Sequence, residues 1–187
     1  MPHQPTRRTV LHSMAAGVGV IAFDPLARSW VAGPARPHPA DTAGNGLAGV
    51  PELDGTLLTD PASLAADADD FGHFVHRLPA AVLRPGSVAD IVAMVRFCNT
   101  HHIQVAARGQ GHGTNGQAQV ADGLVIETAP LNTIGPVRTG AAGTGTVSVG
   151  AGAVWSAVVQ ATLVHGLTPP VFTDYLELSV GGTLSVG

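Results

Sequence analysis

Apolar residues recur along the chain at two spacings, and each spacing predicts an element. Val88, Ile91, Val92, Val95 and Cys98 fall at helical spacing behind Ser87, whose hydroxyl suits an N-cap, with Asp90 three positions on. A helix over residues 88–101 follows, with those five side chains as its apolar face. Before it, Ala80-Ala81-Val82-Leu83 is a short apolar run stopped by Pro85-Gly86; after it, Ile103 to Ala107 is another. Both read as strands, so this stretch is one strand–helix–strand unit. Leu124-Val125-Ile126 supplies a further strand, Leu131 to Ile134 a short one, and Thr146-Val147-Ser148-Val149 alternates as a half-buried strand does. Val154, Ala157, Val158, Ala161 and Leu163 predict a second helix to about His165. It is closed by Gly166 at C′ and barred from continuing by Pro169-Pro170. Upstream, Leu64 with Ala65, Ala66 and Ala68 predicts a short helix between Asp60 and Asp70. The last segment, Thr173 to Gly187, holds a short apolar stretch and Gly181-Gly182. The fold class is α+β, built from small α/β subdomains.

Composition narrows the function. The chain has 187 residues, 45% of them hydrophobic, enough for one domain with a core. Charged residues make up 12% and the net charge is −4, so there is no basic surface for phosphate neutralisation and no nucleic-acid partner is expected. The 9 His are scattered without the spacing of a metal site, and no metal is expected. The single cysteine, Cys98, excludes an intrachain disulfide and reads as a small buried hydrophobe on the first helix.

The first residues read as an address. Thr6-Arg7-Arg8-Thr9-Val10-Leu11-His12 is a twin-arginine pattern, and the uncharged stretch from Ser13 to Phe23 is too short to span a bilayer. Stable membrane insertion is not expected, and the partner implied is the twin-arginine export machinery. That route exports folded proteins, which suits a cofactor loaded in the cytoplasm. Residues from about 28 to 50, rich in Pro, Gly and Ala and without a clear period, read as a cleavage region and linker. The division is 1–35 signal region, 36–70 linker and short helix, and 71–187 the domain that carries the chemistry.

That chemistry centres on Arg108-Gly109-Gln110-Gly111-His112-Gly113-Thr114-Asn115-Gly116-Gln117. A strand opens into a loop with four glycines, which can turn several backbone N–H groups toward one anion such as a pyrophosphate. The loop does not lead into a helix, so it is not the fingerprint of a doubly wound dinucleotide fold. Arg108 either adds charge for a phosphate or pairs with a carboxylate. His112 is either incidental to a surface loop or a nucleophile, since a neutral imidazole held against a flavin can attack its 8α-methyl carbon.

The loop resembles the R-G-x-G-H-S loop of FAD enzymes of the vanillyl-alcohol-oxidase type, which carry a PCMH-type FAD-binding domain, and in particular that of cytokinin dehydrogenases. Two flanking segments are also similar. Val82-Leu83-Arg84-Pro85-Gly86-Ser87-Val88-Ala89-Asp90-Ile91 matches the family's strand-to-helix passage. Thr173-Asp174-Tyr175-Leu176-Glu177-Leu178-Ser179-Val180-Gly181-Gly182-Thr183-Leu184-Ser185 is very similar, without a gap, to the family's T-D-Y-L-x-L-T-V-G-G-T-L-S. The resemblance covers about residues 70–187 and implies FAD as cofactor. His112 would bond the flavin, and the backbone of Gly109, Gln110, Gly111, His112 and Gly113 would hold the pyrophosphate, with Arg108 beside it. Gln117, Ser179 and Ser185 would contact the flavin. Asp174 would accept the proton of a substrate amine as hydride leaves the adjacent carbon; its alternative is a helix or turn cap. Gly113 stands where the family usually has Ser, which removes a hydroxyl from the cofactor's surroundings. Glu177 reads as a solvated strand position and Trp155 as core. The family's flavin domain runs on past the point matched by Gly187 and is followed by a substrate domain, so the chain reads as an N-terminal fragment, inactive alone. The function implied is oxidation of a C–H next to an amine on a small molecule such as an N6-substituted adenine. The alternatives are a sugar or alcohol oxidase of the same fold, a non-catalytic exported module, and a cytoplasmic reductase with FAD held non-covalently.

Overall fold

The computed structural model describes residues 21–24, 29–32, 47 and 49–186. Two compact units are present, residues 1–44 and 45–187. In the first, β1 (Ile21–Asp24) pairs antiparallel with β2 (Ser29–Ala32). The twin-arginine motif lies outside the described residues. The irregular linker expected from about residue 28 is interrupted by β2.

The second unit opens with a four-stranded sheet in the order β3-β4-β6-β5. β3 (Thr56–Leu58) is antiparallel to β4 (Ala81–Arg84); β6 (Leu124–Glu127) is parallel to β4 on one side and to β5 (Val105–Arg108) on the other. The central strands β4 and β6 are buried on both faces, which is why they read as continuous apolar runs rather than alternating ones. Leu83, Leu124 and Ile126 pack with α2 (Val88–Thr100) on one face; Val82 and Val125 pack with Val120 and Leu64 on the other. Leu64 comes from α1 (Pro61–Ala66), shorter than the helix expected, with Asp60 accepting the Ser63 N–H as N-cap.

α2 begins where its cap predicts, with Ser87 accepting the Asp90 N–H, but its buried face is rotated from the one expected. Met94, Phe97 and Cys98 are buried and Ile91 packs beside them, whereas Val88, Val92 and Val95 are exposed. The reason is Asp90. Its carboxylate turns inward and accepts the N–H groups of Asp54 (2.9 Å), Gly55 (2.8 Å) and Gly86 (2.8 Å), tying the start of β3 to the β4–α2 turn. Burial raises the Asp90 pKa, but these backbone donors outweigh it and hold the carboxyl below its ordinary value.

A separate small core lies toward the C-terminal end. Ala153, Trp155, Val158 and Val180 are buried together, with Ile134, Val149, Leu176 and Leu178 packed on them. They belong to α3 (Trp155–Leu163), α4 (Val180–Val186) and the loops around them; the strand pair β7 (Arg138–Thr139) and β8 (Gly145–Thr146) lies in the same stretch. The strand expected over Leu131 to Ile134 does not form. This stretch lies between Pro130 and Pro136, and only Ile134 bridges to Val149. The strand expected over 146–149 divides for the same reason: Thr146 pairs with Arg138, Val149 with Ile134. α3 buries Trp155, Val158 and Thr162, while Leu163 is exposed. Its rotation is set by Trp155, which is core as expected and donates from Nε1 to Thr183 Oγ1 at 3.0 Å, and by Thr162, whose hydroxyl bonds back to Val158 O at 3.1 Å. Gly166 holds φ +68° behind the helix, the left-handed C′ conformation expected of it. α4 was not legible as a helix, since Gly181 and Gly182 oppose helix formation, and Glu177 stands in an exposed turn rather than a strand.

Candidate active site

The glycine loop leaves β5 at Arg108, whose backbone is fixed on the sheet: its carbonyl accepts the N–H (2.8 Å) and hydroxyl (3.2 Å) of Thr128. Its side chain takes the carboxylate alternative. Nε meets Asp67 Oδ1 at 2.8 Å and Nη1 donates to the Asp69 carbonyl at 3.2 Å. Gly109 lies against the buried Ser179, and a Cβ there would occupy the space of Ser179 Oγ. Gly111 has φ +73° and rides over the Arg108 guanidinium; a Cβ would fall 2.5 Å from Nη2 and 2.7 Å from Cζ. Gly113 offers its carbonyl to the Phe71 N–H at 3.0 Å. Among the described residues, the N–H groups of Gln110, Gly111, His112 and Gly113 donate no hydrogen bond to the protein. Donors left free on a glycine-rich turn are what an anion nest requires, so the loop fits a pyrophosphate.

The His112 ring sits between two aromatic rings. Phe71 stacks on it at 4.2 Å between centroids and 16° between planes; Tyr175 stacks at 5.0 Å and 28°. The fold thus brings the T-D-Y-L segment onto the glycine loop although the two are far apart in sequence. Asp174 is exposed beside Tyr175, and its Oδ1 accepts the Tyr175 N–H at 2.8 Å. Ser179 Oγ accepts the Gly182 N–H at 3.3 Å at the head of α4. The remaining expected residues make local bonds. Gln110 is exposed. Gln117 accepts the Asn115 N–H at 3.1 Å, and its Oε1 lies 2.8 Å from where a Gly113 Cβ would stand. Ser185 donates to Gly181 O at 2.8 Å on an exposed face of α4.

Beside the loop lies a partly buried charge network that sequence reading missed. Asp67 is 3% exposed, touches Arg108 and neighbours Glu127, which in turn pairs with Arg84. Burial and the Glu127 charge raise the Asp67 pKa to about 6, against the attraction of Arg108 and Arg84. Nothing in a P-A-S-L-A-A-D-A-D-D stretch marks Asp67 as buried. Phe71 was equally invisible, and Tyr175 was named only within its motif.

The family model described as FAD binding domain matches residues 79–187, more than half of the chain. This chain belongs to the FAD binding domain family. FAD is its cofactor, and the glycine loop lies within the matched residues. An uncharacterised oxidoreductase of the fasciation locus of Rhodococcoides fascians is 42% identical over 135 residues, covering 72% of this chain and 30% of that protein. Cytokinin dehydrogenase 4 of Oryza sativa subsp. japonica is 43% identical over 143 residues, 73% of this chain and 27% of that one. The chain therefore spans less than a third of the length of these relatives. Among solved structures, cholesterol oxidase from B. sterolicum superposes with a TM-score of 0.59 at 26% identity, over 71% of this chain and 24% of that one. The 6-hydroxy-D-nicotine oxidase of Arthrobacter nicotinovorans, at TM-score 0.56 and 21% identity over 68% of this chain and 27% of that one, shares the fold. The PCMH-type α+β architecture implied by the loop is the one found.

Proposed function

We propose that this chain is the flavin-binding part of an exported FAD-dependent oxidoreductase in which His112 anchors the flavin covalently. The observation that carries the reading is His112 itself, an imidazole clamped between Phe71 and Tyr175 on a loop in which the N–H groups of Gln110 to Gly113 donate to none of the described residues. Stacking on both faces restricts ring rotation, which is the orientation a nucleophilic nitrogen needs. The free N–H groups of Gln110 to Gly113 hold the pyrophosphate. Ser179, buried beneath Gly109, keeps the loop close to α4.

FAD supplies a hydride acceptor. The chain's own contribution at the reacting end is Asp174, whose carboxylate takes the proton of a substrate amine and balances the positive charge that develops on nitrogen as the neighbouring C–H is broken. An N6-substituted adenine is the substrate class this favours; the cytokinin dehydrogenase relative supports it. The twin-arginine pattern at Arg7-Arg8 supports export after the cofactor is loaded.

The test is denaturing gel electrophoresis with in-gel flavin fluorescence on the full-length protein and on His112→Ala. Fluorescence that follows the wild-type band and is absent from the variant is expected. A flavin spectrum in the native wild type without fluorescence on the gel would leave FAD bound and refute the covalent anchor. No flavin in either state would refute the oxidoreductase reading in favour of a non-catalytic module.

A further inference from the structure

We propose that Asp67 and Arg108 form a positioning pair that shapes the His112 loop, with the guanidinium serving as the surface on which the loop backbone is folded rather than as a ligand of the phosphate. The inference deepens the functional reading above and rests on it only for the loop's purpose. Three groups meet at this guanidinium: Asp67 just after α1 holds Nε, the Asp69 carbonyl holds Nη1, and Gly111 lies across Nη2 and Cζ.

Both sides of the brace are themselves fixed. On one side, Ala68 lies between the two acceptors, and its carbonyl accepts the Arg77 N–H and the buried Gln119 Nε2, each at 2.8 Å; Gln119 Nε2 also reaches Val75 O at 3.0 Å. On the other, the Arg108 backbone is held by Thr128. A planar fork between two rigid supports is a rigid object. The loop has few bonds of its own, so its path at Gly111 is set by packing on that fork. Lysine cannot replace it, because one ammonium on a flexible stem does not present Nε and Nη1 in a fixed geometry. Asparagine at 67 can, because it keeps an acceptor oxygen for Nε. His112 is the residue immediately after Gly111, so a loop that shifts at Gly111 carries the imidazole out of the Phe71–Tyr175 clamp.

The test uses amide hydrogen exchange of the full-length protein at Phe71, whose N–H donates to the loop's Gly113 carbonyl, and at Asn115, whose N–H donates to Gln117, together with the ratio of flavin to protein. Neither amide is among those offered to the pyrophosphate, so failure of the brace and failure of the cofactor reading are distinguishable. Asp67→Ala and Arg108→Lys are expected to speed exchange at these two amides roughly tenfold or more, while β4 and β6 keep their protection. Asp67→Asn is expected to retain slow exchange. Asp67→Ala leaves a buried unpaired charge, which can unfold a protein, so the double variant Asp67→Leu/Arg108→Met is included; replacing both charges by apolar groups is tolerated. It is expected to fold with a fast-exchanging loop. Wild-type exchange in that double variant would overturn the proposal. So would an Arg108→Lys protein with an ordered loop whose FAD affinity is merely weaker and more salt-sensitive, since Arg108 would then be a phosphate ligand.

Discussion

Raising the pH from about 4 to about 7 is expected to destabilise the protein through one carboxyl group, Asp67. The group is 3% exposed and shares its surroundings with Glu127, Arg108 and Arg84. Burial opposes the charged form, and the Glu127 carboxylate opposes it further; the two guanidiniums offset only part of this. The folded-state value, about 6, therefore lies above the ordinary 3.8, and the folded protein holds the proton more tightly than the unfolded chain. The sign follows from linkage. The contribution to stability is full below the unfolded value, and it is lost as pH rises through the folded one. At about 1.4 kcal/mol for each tenfold change in proton affinity, the loss across this window is on the order of 3 kcal/mol. The assay is thermal unfolding of the FAD-loaded protein at intervals across the window, for wild type and Asp67→Asn. Asparagine carries no titrating proton, so the difference between the two removes every carboxylate that does not interact with Asp67 and isolates the Asp67–Glu127 pair. Wild type is expected to lose ground against the variant as pH rises, by roughly 6–12 °C in Tm for a domain of this size. A flat difference would refute the burial argument. A difference of opposite slope, with wild type gaining at higher pH, would mean that the Arg108 attraction wins and Asp67 is an ordinary ion-paired carboxylate.

Three further outcomes are expected. Leu83→Ala should cost about 2–5 kcal/mol, read by denaturant unfolding, because the side chain is fully buried between the sheet and α2. Gly109→Ala should lower the flavin-to-protein absorbance ratio several-fold, because its methyl meets Ser179 Oγ, and Gly109→Ala combined with Ser179→Ala should recover part of the loss. Thr183→Val should cost about 1 kcal/mol, measured as a shift in denaturation midpoint, because Trp155 Nε1 loses its acceptor.

Much of this protein was legible before any fold was considered. The parallel strands at 81–84, 105–108 and 124–127 and the helix capped by Ser87 follow from short apolar runs and a polar cap, which are local signals. So does the glycine loop with His112, because four glycines between two strands mark a backbone that must turn and stay accessible. Which face each helix buries was not legible. Pattern favoured the valines of α2, but a carboxylate at Asp90 with three backbone donors to satisfy turns the helix so that Met94 and Phe97 fill the core instead. The short strands at 131–134 and 146–149 failed because a strand needs a continuous partner, and neither segment finds one. Tertiary structure alone decided that Phe71 and Tyr175 clamp His112, that Ser179 lies under Gly109, and that Asp67 grips Arg108. These pairs join residues from distant parts of the chain, and a sequence carries no record of which distant side chains meet. It names the chemistry at each position; the closing of the sheet and the packing of α4 determine which of those groups share a site.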